Sequence, residues 1–239
     1  MVKPYKDSAS GKKRQVAKMF DRIARHYDFL NHFLSLGIDR LWRKKAIRLI
    51  KPYKPLHVLD IATGTGDFAV EAIKLPGVTV TGVDISRGML EKGIEKIEEK
   101  GLSARIELMY GDSEDLQFGA ESYDAITAGF GVRNFENLEI GLAEMRRVLK
   151  PGGVVCILEF SRPTSFPMKQ LYEFYFFKIL PFFGKVVSKD DSAYTYLPES
   201  VYEFPDGEQF LDILRKIGFK NQQQHKLTGG IASIYMAEK

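Results

Sequence analysis

The chain has one cysteine, one tryptophan and four histidines among 239 residues. A single thiol excludes an intramolecular disulfide and any cysteine-based metal cluster. Cys156 lies inside the apolar run Val154 to Leu158, where a small buried core residue is the plain expectation. No stretch reaches the roughly 20 uninterrupted apolar residues of a spanning helix. The Lys-rich N-terminus is not followed by the apolar core of a signal peptide. Zinc-finger spacings and aromatic RNA-binding motifs are missing, so nucleic acid is not an expected partner. These absences point to a globular protein of a reducing, cytoplasmic compartment.

What is present is unevenly distributed. Residues 1–54 carry fifteen Lys/Arg against four Asp/Glu, a balance of +11 inside a net charge of +4. The remaining 185 residues therefore sum to −7. A basic segment of this kind is either a solvated face or a contact for an anionic membrane surface or acidic ligand. Residues 1–14 are polar and read as a frayed end. From Val16, apolar residues recur at helical spacing through Met19, Phe20, Ile23 and Tyr27. A second helix, Arg40 to Ile50, holds Trp42 and stops before Pro52. We divide the chain into this basic helical extension, 1–54, and a main domain, 55–239, with the extension covering one edge of the site.

From Leu56 strands alternate with helices: strands 56–61, 78–84, 104–110, 123–128 and 154–160, and helices 66–75, 87–100 and 136–149. A Pro151-Gly152-Gly153 turn is expected before the last of these strands. Such alternation implies βαβ units and a parallel, doubly wound α/β sheet. Seven of the seventeen residues from Leu171 to Val187 are aromatic, with Lys178 and Lys185 among them. This stretch is either a core helix or an amphipathic lid, within 166–204, that shelters a greasy substrate or dips into a membrane interface. A helix near Asp206 to Ile217 and two strands near 219–224 and 231–237 close the chain.

The chemistry is concentrated where the first strand ends. Gly64-Thr65-Gly66-Asp67-Phe68-Ala69 fits a nucleotide-binding glycine turn, and Asp84 ends the next strand eighteen residues after Gly66. The turn lets backbone approach a ligand, and the acid suits a ribose diol. Asp60, four residues before Gly64, would repel a dinucleotide's pyrophosphate but suits the ammonium of S-adenosylmethionine. Asp112-Ser113, after the third strand, suits an adenine amino group and ring nitrogen; the alternative for Asp112 is a helix N-cap.

Together, Asp60, Gly64-Thr65-Gly66, Asp84 and Asp112 resemble the seven-stranded S-adenosylmethionine-dependent methyltransferases. More specifically, the chain is similar to the ubiquinone/menaquinone-biosynthesis C-methyltransferases. The motifs that carry this are Phe20 to Asp28, Phe130-Gly131-Val132-Arg133-Asn134, Leu149 to Gly153, Leu158-Glu159-Phe160-Ser161, Tyr194/Leu197/Ser200/Val201 and Leu227-Thr228-Gly229-Gly230. The resemblance implies a Rossmann-like sheet, mostly parallel, with an antiparallel last strand. It implies S-adenosyl-L-methionine as methyl donor, held by Asp60, Gly64, Thr65, Gly66, Asp84, Ile85, Asp112, Ser113 and Gly129. Family members often carry serine where this chain has Gly129, so only backbone contact is expected there.

The implied reaction is methylation of a ring carbon of a polyprenylated quinol, demethylmenaquinol first and the benzoquinol precursor of ubiquinone as the alternative. It asks for no metal. Arg133 is expected to stabilise the developing phenolate, with Asn134 orienting it. Tyr27 and Asp28 are expected to reach in from the N-terminal helices. His26 and His225 are further candidate bases. The apolar substrate suggests peripheral attachment to the inner face of the membrane, and a homo-oligomer is left open. Competing readings are a methyltransferase for a small phenol, amine or sterol, a non-catalytic cofactor-binding assembly protein, and a nicotinamide oxidoreductase.

Overall fold

Seven strands form one sheet in the order β3-β2-β1-β4-β5-β7-β6 in a computed structural model of the chain. It describes residues 2–5, 9–35, 37–174 and 191–239, with backbone alone for 26, 29–34 and 191–195. The strands are β1 (His57–Ile61), β2 (Thr79–Asp84), β3 (Ile106–Tyr110), β4 (Tyr123–Gly129), β5 (Leu149–Phe160), β6 (Lys220–Leu227) and β7 (Ala232–Glu238). The strands β1 to β5 pair in parallel, and β7 runs antiparallel to both β5 and β6. The expected architecture, including its antiparallel last strand, is the observed one.

Side chains alternate across this sheet with the two-residue period of a strand. Val58, Ala125, Val154 and Cys156 face one apolar layer, together with Trp42, Ala46, Ile50 and Phe68. Leu59, Ile61, Ile126, Val155 and Ile157 face the other, together with Leu142, Met145, Phe210 and Leu214. The first layer is closed by α2 (Ile38–Ile50), α3 (Asp67–Ala72) and α4 (Arg87–Glu99); the second by α5 (Leu138–Val148) and helix Glu208–Ile217. Cys156 is fully buried, and burial pushes its thiol far up from the ordinary value.

Three sequence expectations are corrected. The first helix, α1, runs Lys12–Leu34 rather than starting at Val16, and its first residue is buried, not frayed. Lys12 Nζ donates to the carbonyls of Arg133 (3.1 Å) and Phe135 (2.8 Å), which no hydropathy pattern signals. Pro151-Gly152-Gly153 is not a turn before a strand but a bulge within β5. Leu149 pairs with Tyr123 and Val154 with Ala125, so the extra residues are looped out of register. The strand pair at the C-terminus is shifted a few residues from the expected bounds. The candidate lid is described only at its flanks, α6 (Met168–Phe174) and α7 (Asp191–Glu203); residues 175–190 lie outside the described residues.

Candidate active site

The sheet order reverses between β1 and β4, so their C-terminal ends open a crevice, the place where open α/β sheets bind ligands. Two residues beside it hold left-handed backbone without being glycine, Ala62 (φ 51°) and Phe130 (φ 58°). Gly131 stands against Ala62 so closely that a Cβ there would lie 2.4 Å from Ala62 Cβ. Strained backbone at such an edge is typical of binding sites. Two adjoining cavities share Tyr27, Ala62, Gly64 and Gly129 in their walls.

The larger cavity is lined by Asp84, Ile85, Asp112, Ser113, Asn134 and Lys13, among others. The glycine turn is built onto Asp84: Gly64 N–H donates to its Oδ2 and Ser86 N–H to its Oδ1, both at 2.8 Å. Gly64 (φ 56°) and Gly66 (φ 80°) adopt conformations that a side chain resists. Burial dominates at the Asp84 carboxyl and raises it to about 6, although the two amides favour the ionised form. Each carboxylate oxygen retains a lone pair for a diol. Asp112 Oδ1 accepts from Glu114 N–H (2.9 Å), making an Asx turn in a loop rather than a helix cap. Its Oδ2 accepts from Lys13 Nζ at 2.6 Å. Burial alone would lower the Lys13 ammonium, but Asp112 and Glu114 hold it above its ordinary value.

The smaller cavity is polar, with Asp60, Thr63, Thr65, Asp67 and Arg43 in its walls. Asp60 pairs in register with Thr127 on β4, which puts both side chains on one face. Thr127 Oγ1 donates to Asp60 Oδ1 (2.7 Å) and Thr63 Oγ1 to Oδ2 (2.6 Å). Full burial raises Asp60 to about 6, against those two hydroxyls.

Of the remaining expected residues, Tyr27 lines both cavities. Burial pushes its phenol up to about 12, with Arg133 and Arg43 acting the other way, so it stays protonated near neutrality. Asp28 lies on neither wall. Thr65 Oγ1 donates to its Oδ1 (2.5 Å) and Lys96 Nζ to its Oδ2 (2.7 Å), which fastens α1 to the glycine turn. Asp21 makes a second fastening by accepting from Ser86 Oγ (2.7 Å) and Gly88 N–H (2.9 Å) at the start of α4.

Arg133 is also absent from both walls. It donates to Phe130 O, to Glu159 Oε1 (2.8 Å) and to Ser200 Oγ (3.3 Å), and lies over the Phe160 ring at 5.5 Å. Its neighbour Asn134 does face the larger cavity, and the buried Oδ1 of Asn134 has no hydrogen-bond partner among the described residues. At Gly129 a Cβ would meet Phe68 Cδ1 at 3.0 Å, so Phe68 crowds any side chain at this position. His225 is on edge strand β6, separated from β4 by β5 and β7, and the side chain of His26 lies outside the described residues.

Sequence reasoning missed Lys13, Arg43 and Lys96. Lys13 falls among polar residues whose composition predicts a frayed end, and Lys96 in an ordinary charged helix. Arg43 did leave a signal, an Asp39/Arg43 pair at i,i+4 beside the apolar residues Trp42, Ala46 and Ile47.

A glycine turn after β1, a carboxylate at the β2 end and another after β3 suit an adenosine-type ligand at the edge of a seven-stranded sheet. Its solved neighbours have that sheet. A [4+2]-cyclase, SpnF, matches with TM-score 0.70 at 17% identity, covering 97% of each chain. A possible histamine N-methyltransferase from Thermotoga maritima matches with TM-score 0.66 at 22% identity over 93% of this chain and 99% of that one. At such identities they establish the fold alone. Residues 8–239 match the model of the ubiE/COQ5 methyltransferase family, and the chain belongs to that family. The demethylmenaquinone methyltransferase of Bacteroides fragilis is 49% identical over 240 residues, which is all of this chain and 97% of the relative. The ubiquinone/menaquinone biosynthesis C-methyltransferase of Geotalea daltonii is 49% identical over 95% of this chain and 97% of its own length. The chain is an S-adenosylmethionine-dependent methyltransferase, as the glycine turn and its flanking acids lead one to expect.

Proposed function

We propose that the protein methylates a ring carbon of a polyprenylated quinol, with demethylmenaquinol as the acceptor and the benzoquinol precursor of ubiquinone as the second choice. The observation that carries the reading is the pair of joined cavities at the β1/β4 crevice, one suited to adenosine and one to an amino acid, meeting at Tyr27, Ala62, Gly64 and Gly129. The names of the full-length relatives support the acceptor.

S-adenosylmethionine supplies an electrophilic methyl group. In this reading Asp84 receives the ribose diol, Asp112 and Ser113 the adenine edge, and Asp60 the ammonium, while Gly64, Thr65, Gly66, Ile85 and Gly129 shape the walls. Asn134 Oδ1 accepts from a quinol hydroxyl; a buried acceptor left without a donor costs about 1–3 kcal/mol, which such a ligand would relieve. Tyr27 contributes as a donor, since its phenol is protonated near neutrality. Arg133 acts as a positioning residue: through Glu159 and the Phe130 carbonyl it holds the loop that presents Asn134. Asp28 serves as the latch that keeps α1 over the site. Holding the ring carbon against the methyl group removes translational freedom from the reaction, which is the main gain available without covalent catalysis.

The basic extension 1–54 and the aromatic stretch in 166–204 suit an enzyme drawing a head group from a bilayer. Arg40, Lys44, Lys45 and Arg48 are exposed on α2, and Phe166, Leu171 and Phe174 are exposed at the start of the candidate lid. Retention by liposomes containing anionic lipid is the expected result, and no retention would remove this part of the reading. The central experiment supplies labelled S-adenosylmethionine with each reduced quinone and locates the new methyl group. A label on oxygen or nitrogen, or none with either quinol, would refute carbon methylation.

A further inference from the structure

Arg43, with Asp39 one turn before it, is charged where helix α2 otherwise presents an apolar stripe to the core. Its neighbours on that face, Trp42, Ala46, Ile47 and Ile50, are all buried, and Trp42 Nε1 is itself anchored by donating to Thr228 Oγ1 at 2.9 Å. A buried arginine needs a defined partner set. Among the described residues its hydrogen bond goes from Nη1 to Asp39, one turn earlier on the same helix. Its Nη2 is 3.8 Å from Asp67 Oδ2, which is attraction without a hydrogen bond. The remaining donors belong to a planar fork suited to a carboxylate.

The position of this fork is the informative part. Arg43 lines the smaller, polar cavity whose floor is Asp60, so one small space offers a carboxylate and a guanidinium. The two are close enough for Arg43 to favour the ionised form of Asp60. The two threonine hydroxyls in that cavity are committed, Thr63 Oγ1 to Asp60 and Thr65 Oγ1 to Asp28, which leaves Arg43 as its cationic donor. An α-amino acid carries its ammonium and its carboxylate on one carbon, so its recognition needs both signs within a few ångströms.

We infer that Arg43 binds the α-carboxylate of the cofactor's amino-acid end, opposite Asp60 at the ammonium. The inference rests on the two cavities being the S-adenosylmethionine site. It makes the N-terminal extension part of the binding machinery and not only its cover, because Arg43 comes from α2 while the adenosine contacts come from the sheet. Asp39 is then a positioning residue, fixing the fork from behind.

The test is calorimetric binding, without turnover, of two probes: S-adenosylhomocysteine, and 5′-methylthioadenosine, which lacks the amino-acid carboxylate and ammonium. Arg43→Met is expected to weaken S-adenosylhomocysteine by about 10- to 100-fold, the loss of a charge-assisted hydrogen bond. Binding of 5′-methylthioadenosine should stay within about threefold, since its loss of contacts is independent of this side chain. Arg43→Lys, which keeps the charge, should fall between Met and wild type. Asp39→Asn, which keeps Arg43 and an oxygen that can accept from its Nη1, should shift S-adenosylhomocysteine by less than about threefold. The proposal is overturned if Arg43→Met weakens both probes equally, if it leaves S-adenosylhomocysteine unchanged, or if Asp39→Asn costs as much. Wild-type protein that bound neither probe would instead sink the cofactor reading itself, and the Arg43 assignment with it.

Discussion

Replacing Arg133 with methionine should damage the fold before it damages catalysis. Glu159 is 0% exposed and the Arg133 side chain 7% exposed, so the ion pair between them at 2.8 Å is isolated from water. Glu159 also accepts from the backbone N–H of Arg133 (3.2 Å) and of Phe160 (2.9 Å), and those two bonds survive the substitution. Breaking a buried pair by removing one partner costs about 3–5 kcal/mol. The surviving amides place the expected loss near the lower end, about 3 kcal/mol. For a chain of this size each kcal/mol is worth roughly 2–4 °C in Tm, so the melting temperature should fall by about 6–12 °C. The discriminating partner is Arg133→Met combined with Glu159→Gln, which removes both charges and should recover most of the loss. Urea unfolding and thermal melts of the two variants provide the readout. A single variant within about 1 kcal/mol of wild type, or a double variant as unstable as the single, would refute the view that Arg133 chiefly neutralises Glu159.

Two further outcomes are expected from the same geometry. Asp60 and Asp84 are both raised to about 6 by burial, so the folded protein holds protons that an unfolded carboxyl, near 4, has released. Their contribution to apo stability is therefore complete below about pH 4 and is lost as pH rises through about 6. Cofactor binding runs the opposite way, because the ammonium and the diol need ionised carboxylates. S-adenosylhomocysteine affinity should fall about 10-fold for each required carboxylate between pH 7 and pH 5, and Asp60→Asn should remove one of the two steps. A flat profile in calorimetry would contradict this. Gly131→Ala tests the crevice wall, since its new Cβ would lie 2.4 Å from Ala62 Cβ although the Gly131 φ of −109° suits any residue. Overpacking of this kind costs about 1–3 kcal/mol, and unchanged stability in urea would show that the two loops yield freely.

What could be read from the sequence was what repeats or lies close along the chain. Strand–helix alternation specifies the sheet, and the glycine turn with Asp60 and Asp84 marks the candidate cofactor site, because each is local. Arg133 shows the limit. Its place after β4 suggests a group facing the crevice, but Val132–Asn134 form a 3₁₀ turn, in which successive side chains point about 120° apart. Asn134 takes the cavity side, and Arg133 turns to Glu159, whose burial depends on β5 pairing with both β4 and β7. No sequence spacing encodes that choice. The inward-facing basic residues of the N-terminal helices escape a sequence reading for the complementary reason. Lys12, Lys13 and Arg43 look like members of a solvated basic surface because their partners lie far along the chain or across the crevice: two carbonyls after β4, Asp112 after β3, and the polar cavity above Asp60. A positive balance of +11 over 54 residues therefore has two destinations, not one. Lys12, Lys13 and Arg43 turn inward to hold the site, and Arg40, Lys44, Lys45 and Arg48 remain outside. The inward three face the candidate site, whereas the outward four, with Arg14, Lys18, Arg22, Arg25, Lys51 and Lys54, are exposed and open to an anionic surface. Charge reversal of the outward four should then change membrane retention without changing affinity for S-adenosylhomocysteine, and a parallel loss of both would show that the two sets are not separable.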